Sequence, residues 1–225
     1  MEIYLDTANP DHLQFAAKFP FLNGITTNPS IIAKEKDSFR NVIKRINQYT
    51  QGKVWMQVTE TTAEAMYQEA IELKNWVDHP VIKLPMNEDG LEAAYRLRQE
   101  NIEVNMTLIY SLPQVVLAAK ADVNYISPYI GRMDDQSLDG QTFIKHSKEI
   151  IQSLDASTKI IGASIRTTQV VADLARYGYD AITIPFPIFQ KMFQSPLTTE
   201  GLAVFRSDWE KYTDSLKRKE QADVQ

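Results

Sequence analysis

The sequence predicts a (β/α)8 barrel followed by one further helix, on three observations. Short apolar or alternating runs take turns with longer segments of helical periodicity. The runs number eight, the count that closes a parallel barrel when every crossover is right-handed. No GxGxxG turn follows the first run, although an open doubly wound sheet for dinucleotides leads one to expect it.

EIYLD (2–6) alternates as a strand and leads to PDHLQFAAKF, a helix signalled by Asn9 ahead of Pro10. LNGITT (22–27) precedes DSFRNVIKRINQY, opened by Asp37 before Ser38. VWMQV (54–58) precedes TAEAMYQEAIELKNW, opened by Thr61 or Thr62 with Glu64 following. VIKLP (81–85) passes through Asn87, Glu88 and Asp89 into EDGLEAAYRLRQE. EVNMT (103–107) is followed by LPQVVLAAK, YISPY (125–129) by QTFIKHSKEIIQSL, and KIIGAS (159–164) by TQVVADLARYG. AITIP (181–185) completes the set, and Gly52 and Gly178 supply stops. Residues 197–218 read as a helix beyond the barrel, and 219–225 as a polar, frayed tail. With no linker, repeat or low-complexity tract, residues 1–225 are expected to form a single barrel domain.

Composition narrows the function classes. The chain is 44% hydrophobic and 24% charged, with no apolar stretch near the ~20 residues of a membrane span. The opening MEIYLD has no basic region followed by an apolar one, so no secretion signal is expected. The absence of cysteine excludes disulfides, thiolate metal sites and a cysteine nucleophile, and a cytoplasmic setting is the default expectation. A formal charge of -5 argues against a non-specific grip on nucleic acid and for a small-molecule partner. His12, His79 and His146 have no metal-ligand spacing, and no metal or other cofactor is expected.

In a barrel, chemistry gathers at the C-terminal ends of the strands, and here those ends are polar. They carry Asp6, then Thr26, Thr27 and Asn28, then Gln57, Lys83 and Thr107, then Tyr129 and Arg132, then Ser164 and Arg166. Taken singly, Thr27, Asn28 or Ser164 reads as a capping or turn residue; together the ends converge on one mouth. Lys83 stands out because it interrupts an apolar strand, so alternation points it either into the barrel or at the helices. Both places are buried. Burial disfavours an ammonium and leaves a free amine able to attack a carbonyl. Asp6 is either its ion-pair partner or the group that shuttles protons for it. Arg132, Ser164 and Arg166 suit a phosphate. Trp209 with Phe205 and Tyr212 could form an apolar stripe against a neighbouring subunit.

The segments YLDTA (4–8), GITTNPSII (24–32), VIKLP with Lys83, SPYIGR (127–132) and GASIRT (162–167) resemble the small transaldolase family, which includes fructose-6-phosphate aldolase. The likeness runs in order from residue 1 to about residue 213. It implies a metal-free class I mechanism in the same barrel, with Lys83 as the Schiff-base lysine and Asp6 as acid and base. By the same matching, Thr26 and Asn28 contact substrate hydroxyls, Thr107 helps hold a water, and Arg132, Ser164 and Arg166 hold a phosphate. The resemblance also implies a homo-oligomer, a decamer of two five-membered rings.

Two positions divide that family. Its transaldolases carry a glutamate where this chain has Gln57, and the longer ones a phenylalanine where it has Tyr129; its fructose-6-phosphate aldolases resemble this chain at both. The expectation is therefore an aldolase that cleaves fructose 6-phosphate to dihydroxyacetone and glyceraldehyde 3-phosphate. The rivals are a transaldolase passing the same unit to erythrose 4-phosphate, and a sugar-phosphate-binding barrel without chemistry. Tyr129 supplies a hydroxyl that can protonate a carbanion, directly or through a water held by Gln57 and Thr107. Glu60, three residues past Gln57, reads as a helix-start acid; its entry into the site would weaken the aldolase expectation.

Overall fold

The computed structural model describes residues 1–222. Eight parallel strands close a barrel in chain order: β1 (Glu2–Asp6), β2 (Gly24–Thr26), β3 (Lys53–Gln57), β4 (Pro80–Pro85), β5 (Val104–Ile109), β6 (Tyr125–Pro128), β7 (Lys159–Gly162) and β8 (Ala181–Pro185). β8 pairs back onto β1, with Tyr4 beside Thr183 and Asp6 beside Pro185. This is the TIM-type (β/α)8 architecture that the sequence predicts.

The principal helices after β1 to β5 are α1 (Pro10–Ala16), α3 (Phe39–Tyr49), α4 (Ala63–Leu73), α5 (Glu88–Gln99) and α6 (Leu112–Lys120). Those after β6 and β7 are α8 (Gly140–Ser153) and α9 (Thr168–Arg176). Side-chain oxygens start them: Asn9 caps α1, Thr62 rather than Thr61 caps α4, Asn87 caps α5 and Thr167 caps α9. At α3 the cap is Ser38, while Asp37 accepts from the Ser38 backbone and from the Asn41 amide. Three short helices were not legible as periodic segments: α2 (Pro29–Ile32), α7 (Ile130–Asp135) and α10 (Phe186–Lys191). Each has four to six residues, too few for an amphipathic repeat to show.

Strand alternation sorts side chains into two environments. Outward residues such as Leu5, Met56, Ile82 and Met106 join the core under the helices. Tyr4, Trp55, Val81, Tyr125, Ile161 and Ala181 fill the barrel's lower interior. At the base, Glu2 accepts from Tyr4 (2.6 Å) and Lys159 (2.5 Å), and Lys53 bridges Tyr125 (2.8 Å) and Glu103 (2.6 Å). This network closes the base with paired polar groups and leaves the opposite, C-terminal end of the barrel to bind a ligand. β5 runs past its expected end at Thr107 through an irregularity where Leu108 has φ 61°.

By its contacts the chain divides into a unit of Met1–Phe189 and one beginning at Gln190. The second contains α11 (Pro196–Ala222), which begins one residue before the expected helix and includes 219–222, read from sequence as tail. Residues 223–225, the remainder of that tail, lie outside the described residues. Along α11, Leu202, Phe205, Trp209, Tyr212 and Leu216 are exposed at spacings of three and four, forming the stripe read from sequence. No described helix is long and apolar enough to cross a membrane.

Candidate active site

Lys83 lies on the inward face of β4, between Gln57 of β3 and Asn105 of β5 in register. Its residue is 6% exposed, and its Nζ donates to the Thr27 carbonyl at 2.7 Å. That carbonyl belongs to a fixed turn, because the Thr27 backbone N–H and hydroxyl both donate to the Trp55 carbonyl (3.2 and 2.7 Å). Burial disfavours the ammonium and pushes Lys83 down to about 8, against the opposing pull of Asp6.

Asp6, at the end of β1, is displaced the other way. Its surroundings of protein atoms push the carboxyl up, although the charge of Lys83, the Thr26 hydroxyl and the charge of Lys34 oppose this. A hydroxyl relay fixes its orientation: Thr183 donates to Thr26 at 2.5 Å, and Thr26 donates to Asp6 Oδ1 at 2.8 Å. Burial thus works against charge on both partners, so the separation between their proton affinities is smaller than for the free side chains. Proton movement between such a pair and a substrate is correspondingly easier.

These groups open on a cavity of about 230 Å³ at the C-terminal end of the barrel. Of the residues expected from sequence, Asp6, Thr26, Asn28, Lys83, Tyr129, Arg132, Ser164 and Arg166 all line it. Asn28 caps α2, its Oδ1 accepting from the Ile31 N–H at 3.0 Å, and the residue also borders the cavity. The basic end is built by close backbone approach. A Cβ added to Gly131 would stand 2.1 Å from the Ser164 carbonyl and 2.8 Å from Arg166 Cγ and Nε, so only glycine lets α7 meet the loop after β7. Ser164 itself sits in the left-handed region at φ 61°. The Arg132 guanidinium lies 4.8 Å from the centre of the Tyr129 ring.

Gln57 and Thr107 do not line the cavity. Thr107 is buried and donates to the Tyr129 hydroxyl at 3.2 Å, so it reaches the cavity through that phenol. Gln57 is half-buried, on the inward side of β3 beside Lys83. Tyr129 is buried, which pushes its phenol up; Thr107 and Arg132 oppose the rise and Asp6 adds to it. Glu60 is exposed and outside the cavity; its backbone N–H donates to Glu69.

The sequence reading passed over four inward residues. Thr183 and Ser127 border the cavity, and the same signal that singled out Lys83, a polar residue at inward parity in an apolar strand, would have found Thr183. Trp55 lines the cavity floor with a buried indole N–H that has no partner. Asn105 is fully buried, accepts from Ser127 at 2.8 Å and leaves its own Nδ2 without a partner.

The family model for transaldolase/fructose-6-phosphate aldolase matches residues 3–224. A protein named "Probable transaldolase" from Streptococcus pyogenes serotype M2 (strain MGAS10270) is 44% identical over 209 residues, 93% of this chain and 98% of that one. Another of the same name from Petrotoga mobilis is 41% identical over 219 residues, covering 97% and 99%.

Proposed function

The chain belongs to the transaldolase/fructose-6-phosphate aldolase family, and from that premise we propose that it is a class I aldolase cleaving fructose 6-phosphate to dihydroxyacetone and glyceraldehyde 3-phosphate. The observation that carries this reading is the buried Lys83 amine, displaced toward its neutral form and facing a cavity beside Asp6.

The amine attacks the C2 carbonyl, and loss of water from the carbinolamine gives an iminium on Lys83. Asp6 takes the C4 hydroxyl proton as the C3–C4 bond breaks, releasing the phosphorylated aldehyde and leaving the electron pair as an enamine. A proton returned to C3 and hydrolysis of the iminium then free dihydroxyacetone and the lysine. Tyr129, oriented by Thr107, is the assigned donor of that proton. Thr26, Asn28 and the unpaired N–H of Trp55 suit a polyhydroxylated chain, and Arg132, Ser164 and Arg166 suit its phosphate. We place the activity in the cytoplasm, and read the α11 stripe as a contact with other copies of the chain in a ring-based decamer.

A second reading, transaldolase, is favoured by the names of the relatives. Under it the enamine waits for erythrose 4-phosphate and Tyr129 is dispensable. The experiment measures glyceraldehyde 3-phosphate released from fructose 6-phosphate with and without erythrose 4-phosphate. Steady release without acceptor, matched by free dihydroxyacetone, supports the aldolase; release that requires the acceptor overturns it. Under the aldolase reading, Tyr129→Phe lowers the acceptor-free rate by about a hundredfold or more, from the lower end of the range for a general acid upward. Absence of any borohydride-trapped adduct on Lys83 would favour a barrel that binds without chemistry.

A further inference from the structure

We infer that Asp135 is a built-in competitor for the substrate's phosphate and so sets how strongly the enzyme prefers phosphorylated over uncharged aldehyde ends. The inference rests on the phosphate site assigned above and concerns a residue outside the cavity lining.

Arg166 is held in an unusual way. Its Cγ and Nε lie over Gly131, where even a Cβ would stand at 2.8 Å, and its Nη2 donates to Asp135 Oδ2 at 2.9 Å. Gly131 and Asp135 are four residues apart on α7, so the side chain runs along one turn of that helix, glycine under its stem and carboxylate at its tip. The stem is therefore positioned by packing, and the carboxylate is not needed to aim it. The two side chains are 58% and 55% exposed, and an ion pair so open to water is a weak anchor. What remains is charge. An incoming phosphate must share Arg166 with an anion already bound to it, whereas an uncharged aldehyde meets a guanidinium whose charge is largely answered. Arg132, the other guanidinium at this end, makes no salt bridge with a carboxylate among the described residues; it lies against Tyr129 and 3.5 Å from the Tyr110 hydroxyl.

The test is binding of inorganic phosphate by calorimetry at low ionic strength, which needs no turnover. A phosphate across the guanidinium from Asp135 lies on the order of 6 Å from its carboxylate, so removing that charge is expected to tighten binding roughly three- to tenfold in a screened, largely aqueous setting. D135N should show that gain, should lose it when Arg166→Ala is added, and should show less of it above about 0.5 M salt. The charge-matched control Glu72→Gln, on α4 away from the cavity lining, should leave phosphate binding as it is. In kinetics the gain appears in KM for fructose 6-phosphate, and cleavage of a ketose lacking the phosphate is unchanged. Weaker phosphate binding by D135N would make Asp135 a positioning residue and overturn the proposal. Unchanged binding in D135N, with wild-type binding that Arg166→Ala abolishes, overturns it while leaving the phosphate site intact. Failure of the wild type to bind phosphate overturns both.

Discussion

If burial makes Lys83 a nucleophile, its titration should be visible directly. With the amine near 8 rather than at the 10.5 of a free lysine, about one-tenth of it is unprotonated at pH 7, against about 0.03% for an ordinary lysine. That is a gain of about 300-fold in reactive amine, corresponding to about 3 kcal/mol of disfavoured ammonium. The assay is the initial rate of acylation of Lys83 by a small neutral reagent, read by peptide mass spectrometry between pH 6 and 11, with exposed Lys44 correcting for reagent loss. The Lys83 rate should climb with an inflection near pH 8 and level off above it. Asp6→Asn removes the carboxylate that favours the ammonium, so the inflection should move to lower pH while turnover falls. An inflection in the ordinary range above 10 would refute the argument that burial activates this amine. An upward move in Asp6→Asn would refute the electrostatic role given to Asp6.

Two further predictions follow from the same geometry. Lys83→Met should abolish turnover and imine trapping without lowering Tm at pH 7, because a buried ammonium opposes folding. The native state binds fewer protons than the unfolded one between about pH 8 and the unfolded lysine range, so wild-type stability gains as much as about 3 kcal/mol on raising pH through that window. Urea titrations at several pH values should show that gain absent from Lys83→Met; an equal slope in both proteins would exclude it. Gly131→Ala must push the Ser164 turn aside, and should raise KM for fructose 6-phosphate at least tenfold while costing about 1–3 kcal/mol of stability. Unchanged KM would remove Gly131 from the construction of the phosphate site.

The fold was legible because its signal is repeated. EIYLD and AITIP match β1 and β8 to the residue, and a barrel must join them as neighbours because nothing else can pair either edge. What alternation cannot give is where a strand stops when a local conformation intervenes. LNGITT shrinks to Gly24–Thr26, since Gly24 at φ 146° lies against Lys53, while β5 is prolonged past Thr107 by the left-handed Leu108. Both departures are backbone events without a hydrophobic period.

The site divides along a similar line. Lys83, Asp6 and Tyr129 could be read because each puts a chemically active group where the pattern calls for an apolar one or at a strand's end. Trp55 could not, because a tryptophan in an apolar strand satisfies the pattern; its unpaired N–H becomes informative only once the floor of the cavity is known. Asp135 was hidden for the opposite reason, since an acid beside Asp134 in a polar stretch looks like solvated surface. Its significance depends on a long side chain arriving from another part of the barrel, and Gly131, legible only as part of SPYIGR, is what lets Arg166 lie there. On the inference drawn above, acceptor preference is set by a charge that touches neither substrate nor lysine. Changes at 135 should shift it while leaving the Lys83 chemistry as it stands.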